Sequence, residues 1–99
     1  MSNDKKSFFL KLNPPRPSFG LDMTDDERAV MQNHVAYWAP YVQDGTVVVL
    51  GPVMDPKGVY GITILKVDSD EHLAKLIAAD PANGLNTYEF YPMRAVTKQ

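Results

Sequence analysis

Two stretches of this chain, residues 46–50 and 59–67, carry apolar side chains on both faces of the strands they would form. Val47, Val48, Val49 and Leu50 run without a polar break, and Ile62 and Ile64 alternate with Val59, Leu65 and Val67. Successive side chains of a strand point to opposite faces, so a sheet built from these segments has to be covered on both sides. Residues 51–58 between them are dense in turn formers, which predicts a hairpin with a long tip. With 99 residues, 44% of them apolar, the chain makes one compact domain with a single core. Helices from so short a chain cover one face, and a second copy of the same sheet is the economical cover for the other. The spacing therefore predicts a homodimer packed sheet to sheet, against the local alternative that these strands are simply rich in β-formers.

The remaining elements follow from their start and stop signals. Residues 8–12 form a first strand, ended by Asn13-Pro14-Pro15, and residues 13–23, with three prolines and Gly20, form a stiff extended loop. Thr24 caps a helix, Glu27 closes a capping box, and Asp25 and Asp26 suit the positive end of the helix dipole. The helix runs to about Ala39. Pro40 predicts a kink or a break, with a further turn to Gln43 and Gly45 as the stop. Asp68 or Ser69 caps a second helix bearing Leu73, Leu76 and Ile77, which Asp80-Pro81 ends. Asn83-Gly84 then turns the chain into a last strand over residues 87–95. The order strand, helix, strand, strand, helix, strand is that of a ferredoxin-like α+β sandwich with an antiparallel sheet. Residues 1–99 form one domain, with residues 1–6 as a flexible N-terminus.

Charge and composition exclude several classes of function. The net charge is −2 and the basic residues are scattered, so no electrostatic footprint for nucleic acid is present. No apolar run approaches the roughly 20 residues that span a bilayer, and the polar N-terminus lacks a secretory signal. These features predict a soluble, cytoplasmic protein with no membrane partner and a small-molecule ligand. There is no cysteine, hence no disulfide, thiol nucleophile or thiolate metal site. Without paired histidines, a glycine-rich phosphate loop or a serine nucleophile elbow, we expect neither metal nor cofactor.

Against that background His34 stands out. At 100° per residue it shares the apolar face of its helix with Val30, Met31, Val35, Trp38, Tyr41 and Val42. Burial disfavours the charged imidazole and a nearby carboxylate favours it, which is how a histidine is tuned for acid–base work. Asp80 is the candidate carboxylate. At the C-terminal end of a helix it faces the unfavourable pole of the dipole, and a protonated His34 would compensate it. Ordinary packing for His34 and ordinary helix termination for Asp80 are the competing readings. Arg16, stiffened among prolines, is either a solvated loop residue or a bidentate clamp for a ligand carboxylate. Tyr37 and Trp38 flank His34 as pocket walls or as core, and Asp55 belongs to the pocket rim or only to the hairpin tip. His72 lies on the polar side of the second helix and reads as solvated.

Taken together these residues resemble the YciI-like, or YCII-related, family of dimeric α+β barrel proteins. The resemblance runs from about Phe8 to Met93. It rests on Pro15-Arg16-Pro17 with Phe19 and Met23, on the helix segment from Met31 to Trp38 with His34 inside it, on the segment from Gly51 to Gly61, and on Asp80-Pro81. It implies a ferredoxin-like fold, a dimeric α+β barrel and a pocket beside a His–Asp pair, here His34 and Asp80. Some members are similar to muconolactone-type isomerases and dehydrochlorinases. The expectation is a small cofactor-independent lyase or isomerase in which His34 shuttles a proton, Asp80 orients it, and Arg16, Tyr37, Trp38 and Asp55 contact a small anionic ring such as a lactone. The alternative is a noncatalytic dimer that binds a small molecule or a partner protein.

Overall fold

The computed structural model describes residues 5–97. Seven elements succeed one another: β1 (Lys6–Asn13), α1 (Phe19–Asp22), α2 (Asp25–Gln43), β2 (Val47–Val53), β3 (Tyr60–Val67), α3 (Asp70–Ala79) and β4 (Thr87–Met93). The strands form one sheet in the order β2-β3-β1-β4, and every pairing is antiparallel. This is the ferredoxin-like α+β arrangement that the element order predicts. Among the described residues no helix is long and apolar enough to cross a membrane.

Alternation along β1 and β3 sets the two faces of the sheet. Phe8, Leu10 and Leu12 of β1, and Leu65 and Val67 of β3, point to the helices and are buried. Trp38 of α2 and Leu73 and Leu76 of α3 complete the core from the helical layer. Each such side chain contributes about 1.5–3 kcal/mol by leaving water. On the opposite face Phe9 pairs with Ile64 and Tyr91, and Val49 pairs with Ile64. Phe9 and Tyr91 stack with ring centroids 6.5 Å apart. That face has an apolar patch only partly shielded within one chain, with Val49 and Tyr91 half-exposed, and it also carries Lys11 and Glu89, which pair across β1 and β4.

Helix α2 begins as its sequence requires. The Thr24 hydroxyl accepts from the Glu27 N–H at 3.1 Å and the Glu27 carboxylate accepts from the Thr24 N–H at 2.9 Å. Of the kink or break expected at Pro40, the break does not occur, and the further turn reaches Gln43 as expected. Aromatic packing across the proline holds the last turn: Tyr41 lies 5.7 Å from both Tyr37 and Trp38, centroid to centroid. Gly45, at φ +86°, follows the helix end. Ser69, rather than Asp68, caps α3 by accepting from the His72 N–H.

Other boundaries move for identifiable reasons. The loop of residues 13–23 contains the single turn α1, and its Phe19 is buried. Strand β2 extends through Gly51 and Pro52 to Val53, which is possible because β2 is an edge strand and a proline need not donate on its outer side. Its register shifts between Val47 and Val49, which leaves Val48 as the extra residue of a bulge. Strand β4 ends at Met93, short of Ala95, because Met93 already pairs with Ser7 near the start of β1. Residues 1–4 of the expected flexible N-terminus lie outside the described residues, and Lys6 opens β1.

Gly58 joins the hairpin tip to the loop before α2. Its φ is +148°, and a β-carbon there would lie 3.0 Å from the Pro17 carbonyl oxygen. Gly58→Ala is therefore expected to lower stability by about 1–3 kcal/mol. At Gly51 an added β-carbon meets nothing within 4 Å, so Gly51→Ala is expected to change stability by about 0.5 kcal/mol or less. Urea denaturation of the two variants checks the contrast.

Candidate functional site

His34 and Trp38, one turn apart, are the two buried side chains of α2. Asp80 is the C-cap of α3, where its N–H donates to the Ile77 carbonyl and its side chain turns inward. The residues meet between the helices. His34 Nδ1 donates to Asp80 Oδ2 at 2.8 Å and stands 3.0 Å from Oδ1. Trp38 Nε1 donates to Oδ2 at 2.6 Å, the Ala82 N–H to Oδ1 at 2.8 Å, and the Tyr88 hydroxyl to Oδ2. The carboxylate is wholly shielded from solvent, whereas the His34 side chain retains 11% of its exposure.

Four donors decide the charge of Asp80. Burial alone pushes its carboxyl up, but the hydrogen bonds from His34, Tyr88, Ala82 and Trp38 outweigh burial and hold it below the ordinary carboxylate value. Burial and the adjacent carboxylate push the Tyr88 hydroxyl up, so it keeps its proton and remains a donor. An ionised carboxylate accepts and does not donate, so the proton of a neutral His34 sits on Nδ1 and the lone pair on Nε2. No described side chain bonds Nε2, and no fully buried side-chain nitrogen or oxygen among the described residues lacks a partner. Nε2 therefore opens on the space that the ring borders.

That space is a cavity of about 560 Å³ between α2 and the sheet, a volume within the range of small-molecule sites. Its roof is Met31, His34, Val35 and Trp38, its floor includes Leu10, Leu12 and Thr63, and Phe19 of α1 forms a side wall. Tyr88 and Asn86 reach it beside the dyad. Among the described residues no Lys, Arg, Asp or Glu lines it. Asn86 and Thr63 are buried polar residues that the sequence reading missed. For Thr63 a signal existed: it interrupts the apolar face shared with Leu65 and Val67.

The other sequence candidates separate in space. Trp38 lines the cavity and binds Asp80. Arg16 is not among the cavity-lining residues. Its guanidinium makes a bidentate pair with Glu27, at 2.8 and 2.9 Å, and bonds Asp22 through the side chain at 2.8 Å and the carbonyl at 3.0 Å. Arg16, with the capping bond from Thr24, holds the Glu27 carboxyl down at about 2. Tyr37 turns from the cavity to donate to the Leu76 carbonyl at 2.8 Å, tying α2 to α3, and burial raises its hydroxyl to about 12. Asp55 accepts from the Lys57 N–H at 2.8 Å within the hairpin tip, away from the cavity. His72 is half-exposed beside Asp68.

A lowered carboxyl pKa binds fewer protons in the folded than in the unfolded chain. The stability contributed by Asp80 is thus present above its ordinary value of 3.8 and lost as pH falls through its lower folded value. Asp80→Asn is expected to lose about 2 kcal/mol or more at neutral pH, because charge-assisted bonds become neutral ones. Its urea midpoint is also expected to fall less steeply than that of the wild type below pH 3.8. Urea titrations across pH 2–7 measure both effects.

No curated protein matches the chain. The YCII-related domain family matches residues 7–97, which takes in all four strands, save Lys6 at the start of β1, and both long helices. The chain belongs to the family of YCII-related domain proteins.

Proposed function

We propose that this protein is a small cofactor-independent enzyme in which His34 moves a proton and Asp80 orients and stabilises it. The observation that carries this reading is the hydrogen bond from His34 Nδ1 to the buried Asp80, which leaves Nε2 facing the cavity. In the reaction, Nε2 takes a proton from a ring carbon next to a carbonyl, and the electron pair of that C–H bond moves onto the carbonyl oxygen as an enolate. The imidazolium, paired with Asp80, returns the proton to a different carbon, which shifts a double bond. If the ring carries chlorine on the neighbouring carbon, the pair instead expels chloride and the imidazolium later releases its proton to water. Membership of the YCII-related family, some members of which are similar to lactone isomerases and dehydrochlorinases, supports this class of reaction. Trp38 bonds the carboxylate and walls the cavity, so it positions the pair and contacts the ring. Arg16, Tyr37 and Asp55 act in this reading as supports of the fold, given the partners they hold.

A panel of lactones and cyclic ketones incubated in D₂O, with exchange at the carbon next to the carbonyl followed by proton NMR, tests the reading. Wild-type protein is expected to accelerate exchange for at least one ring. His34→Ala is expected to abolish that acceleration, a loss of about 10²-fold or more. Asp80→Asn is expected to fall between them. Full exchange activity in His34→Ala overturns the assignment, and binding without exchange across the panel favours a noncatalytic ligand-binding protein.

The assembly we propose is a homodimer through the sheet faces. Phe9, Ile64, Val49 and Tyr91 give the uncovered face an apolar patch beside Lys11 and Glu89, and a second copy would bury that patch. Wild-type protein is expected to show twice the chain mass by light scattering, and Ile64→Lys the mass of one chain. A monomeric wild type overturns the proposed assembly.

A further inference from the structure

The cavity carries a specific chemical message apart from the dyad at one end of it. Its lining is apolar and holds no cation among the described residues. The ionised Asp80 lies directly behind His34, so the charge behind the dyad end of the cavity is negative, whereas the Arg16 guanidinium, 5.3 Å from the Phe19 ring, is already paired with Asp22 and Glu27. An anionic ligand would lose its hydration there without a counter-charge and would meet that field. Arg16, the residue of this region best suited to a carboxylate, makes four hydrogen bonds to Asp22 and Glu27 instead.

Thr63 supplies the second observation. It stands on β3 among the floor residues, buried at 6% exposure. Its hydroxyl bonds no described residue, yet no fully buried side-chain oxygen among the described residues is unsatisfied, so the hydroxyl opens on the cavity. Tyr88 pairs with Leu12 and Thr63 with Leu10, so the two stand two strand spacings and two residues apart, about 12 Å. Across the floor the cavity thus offers polar groups at two places, His34 Nε2 beside Tyr88 and Asn86, and the Thr63 hydroxyl, with the apolar side chains of Leu10 and Leu12 between them; Gln43 and Tyr60 complete its polar lining.

We propose that the cavity takes a neutral, mainly apolar ring compound with a polar group at each end, and that Thr63 is the residue that selects the end remote from His34. The orientation of the ligand rests on the proton-transfer reading above; its neutrality rests on the lining alone. A ring carbonyl lies against the dyad, and a hydroxyl or second carbonyl lies against Thr63.

Three bicyclic ketones test the proposal: 6-hydroxymethyl-1-tetralone, the unsubstituted 1-tetralone, and 6-carboxy-1-tetralone as its ionised salt. Binding is followed by two-dimensional NMR at the Trp38 indole N–H, which touches both the dyad and the cavity. The hydroxymethyl ketone is expected to bind about tenfold more tightly than the carboxylate. Thr63→Val is expected to weaken the hydroxymethyl ketone about tenfold, one hydrogen bond, and to leave 1-tetralone unchanged. Thr63→Ser, which keeps the hydroxyl, is expected to retain wild-type affinity and guards against a folding defect in the valine variant. Equal or tighter binding of the carboxylate, indifference to Thr63→Val, or no response to the neutral ketones each overturns the proposal. Hydrogen exchange read in the same samples separates the two ideas. Neutral ligands that bind without exchange remove the proton-transfer reading and leave the ligand class standing, whereas exchange confined to the carboxylate does the reverse.

Discussion

The buried carboxylate of Asp80 is the interaction on which this architecture depends. A carboxylate taken from water is strongly unfavourable unless donors replace the water, and here four donors converge from α2, β4 and the turn after α3. The same bonds hold two helices and an edge strand in register. They also fix the tautomer of His34 through a partner 46 residues away. Asp80 therefore both ties these elements together and sets which nitrogen of His34 carries the proton, whereas the other nitrogen of His34 bonds no described residue.

Local signals carried much of the architecture. The capping box at Thr24 and Glu27, the Ser69 cap and the glycine and proline punctuation are short-range rules, and the elements they announce are present. Pro40 shows their limit, since the Tyr37–Trp38–Tyr41 cluster spans the proline and the helix persists. The single turn at Phe19 escaped notice because its residues look like loop until Arg16 closes on Asp22 and Glu27.

The candidate site was legible at its centre and illegible at its edges. His34 and Asp80 announced themselves by breaking local rules, one a titratable ring in an apolar stripe and the other a negative charge at a helix C-terminus. Tyr88, Asn86 and Thr63 broke no such rule strongly enough, because whether a strand residue faces a packed core or a void depends on long-range docking. The helix stripe misled in a related way. Met31 and Val35 have the spacing of core residues, yet they roof a cavity and Val35 is 62% exposed.

The clasp around Arg16 has a further consequence. It fastens the Phe19 wall to the first turn of α2, whereas His34 sits about two turns further along that helix and Asp80 at the end of α3. Changes in length or sequence between Pro14 and Met23 can reshape the chamber without disturbing the tautomer of His34. The Phe19 wall and the His34–Asp80 pair thus rest on separable segments of the chain, so the shape of the chamber can vary while the hydrogen bonds of the pair are kept.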